Sequence, residues 1–420
     1  MTSSFTMKPS GPFEVTVLVP GSKSLAIRAL LASSLARGDS RLVGDVRVRD
    51  VEVVAAALRA LGVTVSEPDE HGIDVQGADG RFPAPLAEID LEDCGTGARL
   101  LAAAAAFAGR TVRLDGSARL RSRPFGPLLS VLSDLGARIR SAGRLPLTIE
   151  GIAPPRDAIA VVPGDLSSQF VSALLLVGPL GGLEVQVSGE LVSRPYVDLT
   201  VAVMEAFGAR VDRAEADRFR VERTGYEGTT YEIEGDASSA AFWLGAAAVS
   251  GGAVRVANVD PGSAQPDVAV LGHLAALGCE IDDSGPGLAV RGPARRGADL
   301  DVRHSPDLMP VLAAVAATVP ERTRIHGAPH LVLKESDRIA AMAAALSALG
   351  ARVEPRDDGL EVVGGGLHGG EIDPRGDHRI AMASGILGLT VPGVVIHDPD
   401  CTAKSYPGFL ELLADAAGVA

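Results

Sequence analysis

The sequence predicts an α/β (α+β) chain of two domains, each made of three copies of a βαβαβ-type unit of about 70 residues, with buried helices and outer sheets. Three observations predict it. A helix-like stretch that ends in glycine before a strand-like run recurs at RALGVTV, SDLGARI, EAFGARV, AALGCEI, SALGARV and, in degenerate form, DAAGVA. Its glycines, Gly62, Gly136, Gly208, Gly278, Gly350 and Gly418, lie 68 to 74 residues apart. A second series, a strand, a small-residue turn and an apolar helix, is marked by Ser24, Thr96, Ser167, Ser238, Asp307 and Asp377 at intervals of 69 to 72. Finally, 420 residues exceed what one core usually organises.

The elements follow from these markers. VLVPGSKSLAIRALL opens the first unit, and the next two open at IDLEDCGTGARLLAAAAA and VVPGDLSSQFVSALLL. EIEGDASSAAFWLGAAA, DVRHSPDLMPVLAAVAA and EIDPRGDHRIAMASGIL open the remaining three. Each first helix is apolar nearly all round, the pattern of a helix buried on every side. Each second helix keeps a polar face, as in VEVVAAALRALG and RIAAMAAALSALG, and closes on the glycine expected of a left-handed cap. Three units to a domain place the boundary near Gly235-Asp236.

The six openings are equivalent helix N-termini, where backbone amides favour anions. Lys23 and Arg28 stand at the first, although the helix dipole disfavours cations there by ~0.3–1 kcal/mol each. Bound anions would resolve that conflict. The net charge of −14 opposes nucleic acid or an anionic membrane as a partner, so an anion site must be local. Cys94, Cys279 and Cys401 match no zinc or CxxC spacing and suit a reducing compartment. MTSSFTMKPSGPFEV holds no apolar signal core, and the charge-free run 170–183 is too short to cross a bilayer, so a cytoplasmic protein is expected. GSKS lacks the upstream glycine spacing of a P-loop. His326 and His330 are four apart, but Pro329 between them argues against a metal-binding helix. No metal and no organic cofactor are expected.

GSKS with Arg28, CGTGAR, RSRPFGPL, SSQFVSALL, LVSRPYVDLT, EGDASSAAF, LKESDRI, GDHRIAM and DPDCTAKSYPGF stand in the order of one family's signatures. Through them the chain resembles the 5-enolpyruvylshikimate-3-phosphate synthases (3-phosphoshikimate 1-carboxyvinyltransferases), almost end to end. The resemblance implies the enolpyruvyl transferase fold, with domains 21–234 and 1–20 plus 235–420 and an active site in the interdomain cleft. It implies transfer of the enolpyruvyl group of phosphoenolpyruvate to the 5-hydroxyl of shikimate 3-phosphate, on the route to chorismate and aromatic amino acids. The partners are then these two small molecules, and the protein a monomer.

Residue by residue, the resemblance assigns Lys23, Ser24, Arg28, Ser167, Ser168, Gln169, Ser193, Tyr196, Asp307 and Lys334 to shikimate 3-phosphate. It assigns Lys23, Gly95, Arg123, Gln169, Arg338, Arg379 and Lys404 to phosphoenolpyruvate. Arginine suits this task because its planar fork grips carboxylate or phosphate with two hydrogen bonds. Lys23, Asp307 and Glu335 would be catalytic, with Glu335 protonating the methylene carbon, Asp307 accepting the hydroxyl proton and Lys334 orienting substrate. A purely ion-pairing role for Glu335 is the alternative. Arg99 and Arg121 read as structural, or as residues that stand behind those touching substrate.

The chain departs from the pattern at Ala26-Ile27, where a small polar residue and Asn are common, at His330, often Asn, and at Ala98 and Leu100 around Arg99. These positions bear on the shikimate contacts and leave open a related cyclic alcohol as acceptor. UDP-N-acetylglucosamine enolpyruvyl transferase is the nearest rival, because that family uses a reactive Cys and Cys94 stands beside Gly95. Ser24 after Lys23 and the SSQ and LVSRPY motifs favour the phosphorylated shikimate, and Cys94 reads as a small helix-entry residue. RNA 3′-phosphate cyclase, with similar repeats, wants a basic surface that this chain lacks. A non-catalytic binding paralogue is disfavoured by Asp307, Glu335 and the retained cations.

Overall fold

The computed structural model describes residues 3–108, 111–215 and 217–419. Met1, Thr2 and Ala420, at the ends of the expected domain ranges, lie outside the described residues. The chain divides into two compact units, Gly21–Ile233 and Met1–Pro20 with Glu234–Ala420.

In the first unit the helices Lys23–Leu35, Gly95–Ala108 and Ser168–Gly181 pack on one another. From Leu25 to Leu35 every residue is buried, and in the other two helices only Thr96, Gln169 and Leu180 are not. These helices therefore surface mainly at their opening turns, which is where Lys23, Ser24, Ser167 and Gln169 stand. The second unit repeats the plan with Ala237–Ser250, Met309–Ala317 and His378–Gly388.

Small mixed sheets cover these bundles. In two of the four-stranded sheets the buried helix follows one crossing of the chain between units, and the strand that enters the parallel pair comes from before the other crossing. In the other three the strand before the buried helix runs parallel to the strand after it, as Leu86–Asp90 does with Thr111–Asp115. The remaining two strands form an antiparallel hairpin, here Arg138–Arg140 with Leu147–Glu150. The repeats with four-stranded sheets thus carry one strand more than the sequence pattern revealed. Alternating burial along Leu86–Asp90 sets one face on the helices and the other in solvent.

The chain passes between units twice, at Pro20–Gly21 and at Ile233–Glu234. Accordingly Glu14–Val17 pairs with Ala253–Val256 in the second unit, whereas Thr230–Glu232 pairs with Asp39–Val43 in the first. The last repeat has no hairpin of its own among the described residues, and Ser4–Met7 completes its sheet beside Val394–His397. The periodic glycines all have positive φ, from 70° at Gly418 to 102° at Gly136, as left-handed caps require.

Candidate active site

In the first unit the openings carry hydroxyls and cations. Lys23 begins its helix with Nζ 3.1 Å from Asp50 Oδ2. Asp50 belongs to the helix Arg49–Ala60, so the protein itself supplies a carboxylate that eases the dipole conflict expected at Lys23. Arg28, only 2% exposed, donates from Nε to Thr200 Oγ1 (2.7 Å) and from Nη1 to the Ser24 carbonyl (2.9 Å). Its Nη2 reaches the Tyr196 carbonyl at the longer distance of 3.4 Å. Burial pulls its pKa down to about 10, against the opposing influence of Tyr196 and Tyr231. The bound-anion explanation of this cation is therefore joined by an internal one, because neutral oxygens already satisfy much of the guanidinium.

The third opening is tied to the same cluster. Thr200 Oγ1 lies 2.8 Å from Ser172 Oγ, on the helix that Ser168 begins. Ser167 Oγ accepts from the Gln169 amide (3.3 Å), an N-cap that orders this turn. Ser193, buried with φ of 52°, turns the chain into the helix Pro195–Ala206 and accepts from the Tyr196 amide (3.0 Å). A serine in the left-handed region stores local strain, a feature concentrated at functional sites.

The second opening brings Gly95 and Arg123 together. The expected amphipathic helix breaks into Ala118–Ser122 and Gly126–Asp134, and the break leaves Arg123, followed by Pro124, buried against residue 95. A Cβ on residue 95 would lie 2.7 Å from Arg123 Cζ, so glycine makes room for the guanidinium. Arg99 donates to Gln169 Oε1 (2.8 Å), and Gln169 Nε2 donates to Thr96 Oγ1 (3.0 Å).

In the second unit the openings are acidic. Arg338, 1% exposed, donates to Asp307 Oδ1 (2.6 Å), Glu335 Oε2 (2.7 Å) and Asp377 Oδ2 (2.9 Å). Arg379 Nη2 donates to the other oxygen of Asp307 (3.0 Å), and Lys334 Nζ lies 3.5 Å from Asp307 Oδ1. Asp377 also caps its helix by accepting from the Arg379 amide (3.1 Å). Burial pushes the Asp307 carboxyl up, but Arg379, Lys334 and Arg338 together outweigh it and hold the group well below the usual range. Burial and Asp307 drive the neighbouring Asp267 the other way, up to about 6 despite Arg379, and Ser238 Oγ donates to it. Lys404 ends the turn Pro399–Lys404, which packs on the helix His378–Gly388.

The departures fall in different settings. Ala26, Ile27, Ala98 and Leu100 are fully buried in their helices. His330 does lie near the charged cluster, and burial aided by Lys334 lowers its pKa to about 4, so its imidazole is neutral at pH 7. Cys94 is buried, with Sγ 3.7 Å from the Asp50 carbonyl oxygen. Motif reading gave no role to Asp50, Thr200, Asp267 or Asp377. Asp377 was already a period marker, and its equivalence to Asp307 was the available signal.

The two α/β units share one repeated design, with hydroxyl and cationic openings in one and a carboxylate–arginine network in the other. The family model for EPSP synthase (3-phosphoshikimate 1-carboxyvinyltransferase) matches residues 7–413. A 3-phosphoshikimate 1-carboxyvinyltransferase of Methanoculleus marisnigri is 41% identical over 96% of this chain and 97% of its own. One from Laribacter hongkongensis is 39% identical over 97% and 98%. The solved EPSP synthase of Acinetobacter baumannii superposes with a TM-score of 0.80 at 27% identity, covering 99% of this chain and 98% of its own. The chain belongs to the EPSP synthase family. No helix among the described residues is long and apolar enough to cross a membrane.

Proposed function

We propose that the protein transfers the enolpyruvyl group of phosphoenolpyruvate to the 5-hydroxyl of shikimate 3-phosphate, releasing phosphate. The network that joins Asp307, Glu335, Arg338 and Arg379 supports this reading, because two carboxylates, groups able to transfer protons, stand there among cations suited to a small anion.

Ser24, Ser167, Ser168 and Ser193 bind the 3-phosphate of the acceptor, with Lys23 and Arg28 supplying charge, and Tyr196 lies by the ring. Gly95, Arg123, Gln169, Arg338, Arg379 and Lys404 bind phosphoenolpyruvate, whose reaction draws on both sets of residues. Asp307 takes the proton of the attacking hydroxyl, Lys334 orients the acceptor, and Glu335 gives a proton to the methylene carbon. Carbon–oxygen bond formation yields a tetrahedral adduct. Its collapse expels phosphate and returns a proton from the methyl group, restoring the double bond.

The electrostatics supports this order. Cations hold Asp307 ionised but make it a weak base. Anions of the substrate that engage Arg379 and Lys334 relieve that field and raise the basicity of Asp307 as the reaction begins. The protein acts as a monomer in the cytoplasm, without a metal or organic cofactor. Phosphorus NMR of the two substrates with the protein tests the reaction. It should show phosphoenolpyruvate converted to inorganic phosphate in step with a new phosphate-ester signal; an unchanged spectrum contradicts the reading.

A further inference from the structure

We propose that Arg99 is a positioning residue for the phosphoenolpyruvate side of this reaction, holding Gln169, Gly95 and the backbone beside Arg123 with one buried guanidinium. The inference rests on the enolpyruvyl-transfer reading above. Arg99 lies within the helix Gly95–Ala108 and is 3% exposed, a costly location for a cation unless its donors are used.

They reach three segments. Nη1 donates to Gln169 Oε1 (2.8 Å) and to the Gly95 carbonyl (3.2 Å), while Nη2 donates to the Pro124 carbonyl (3.1 Å). The rings of Phe125 and Phe170 flank the guanidinium, with centroids 5.0 and 5.5 Å from Cζ.

The chemistry of the fork fixes more than distance. A guanidinium only donates, so Gln169 must turn its oxygen toward Arg99 and its amide nitrogen toward Thr96 Oγ1, at 3.0 Å. Pro124 follows Arg123, whose own guanidinium lies against Gly95. Arg99 thereby sets the relative placement of three groups assigned to one substrate. Lysine offers a point charge on a flexible stem and does not span these acceptors in one plane.

The test compares Arg99→Lys, Gln169→Ala and the double variant in the full chain, with thermal melts and steady-state turnover of both substrates. Arg99→Lys should raise KM for phosphoenolpyruvate about tenfold, the scale of one charge-assisted hydrogen bond. KM for shikimate 3-phosphate should stay within about twofold, and most of the penalty should vanish in the Gln169→Ala background. A lower melting temperature with unchanged KM, or penalties that multiply in the double variant, would overturn the proposal. If the lysine variant does not fold, Phe125→Leu removes one flanking ring and leaves every donor, and should raise the same KM about threefold; an unchanged KM then overturns it. Absence of turnover in the unsubstituted protein refutes the reaction, whereas normal turnover with an inert Arg99→Lys refutes only this role.

Discussion

Arg338 and Asp307 are joined by a 2.6 Å hydrogen bond, and the same guanidinium holds Glu335 and Asp377 with its other donors. One buried cation therefore binds three carboxylates that come from separate parts of the sequence. Removing it leaves buried negative charge uncompensated, which costs about 3–5 kcal/mol. Arg338→Ala should lose that much stability in urea unfolding, with a smaller loss for Arg338→Lys. A loss below about 1 kcal/mol would show that the network is not what organises this part of the second unit.

Glu335 separates chemistry from binding. Its carboxylate accepts from Arg338, so Glu335→Gln keeps the shape and one acceptor while removing the oxygen that would take up and give a proton in the proposed reaction. Turnover should fall by about 100-fold or more, with binding of both substrates changed by less than about threefold. Isothermal titration beside the turnover assay checks both numbers, and unchanged turnover leaves Glu335 as an ion-pair partner alone.

Gly95→Ala makes a spatial prediction. The added methyl would displace the Arg123 guanidinium rather than the helix backbone, because a side-chain end moves at lower cost. KM for phosphoenolpyruvate should rise about tenfold, the loss of a charge-assisted contact, while the melting temperature shifts little. Equal increases in KM for both substrates would place the effect elsewhere.

Asp267 should give a pH signature in stability. Its carboxyl is raised to about 6 by burial and by Asp307, with Arg379 opposing. A raised carboxyl favours the folded state below its unfolded pKa and loses that advantage as pH rises through 6. Asp267→Asn should thus be more stable than the parent at pH 7–8, on the order of 3 kcal/mol, and the difference should shrink toward pH 4. Urea unfolding at a series of pH values measures it; a difference that grows toward low pH contradicts the assignment.

His330 moves oppositely. Burial favours its neutral form, so the stability it contributes is present above the ordinary histidine pKa of about 6.5 and is lost as pH falls toward 4. NMR of its imidazole should show a neutral ring from pH 5 to 8 with a midpoint near 4. A midpoint near 6.5 would mean that the ring is solvated.

The repeat was legible in the sequence because left-handed caps admit few residues, so Gly62, Gly136, Gly208, Gly278, Gly350 and Gly418 recur wherever the second helix stops. The second strand of each hairpin, such as Gly72–Gln76 or Leu288–Arg291, was not, since the repeated pattern marked only the run that follows each capping glycine. Family motifs named the site residues, but the bonds among Asp307, Glu335, Arg338 and Asp377 depend on contacts that no local pattern encodes. Lys23 illustrates the difference. Its conflict with the helix dipole was visible at once, while its partner Asp50 emerged only from the packing of two helices.

Phosphate release on mixing the protein with phosphoenolpyruvate and a cyclic acceptor tests the central claim most directly. Shikimate 3-phosphate should support release that scales with protein and stops when either substrate is omitted, and UDP-N-acetylglucosamine should support none. Release with UDP-N-acetylglucosamine but not with shikimate 3-phosphate, or with neither acceptor, would contradict the account.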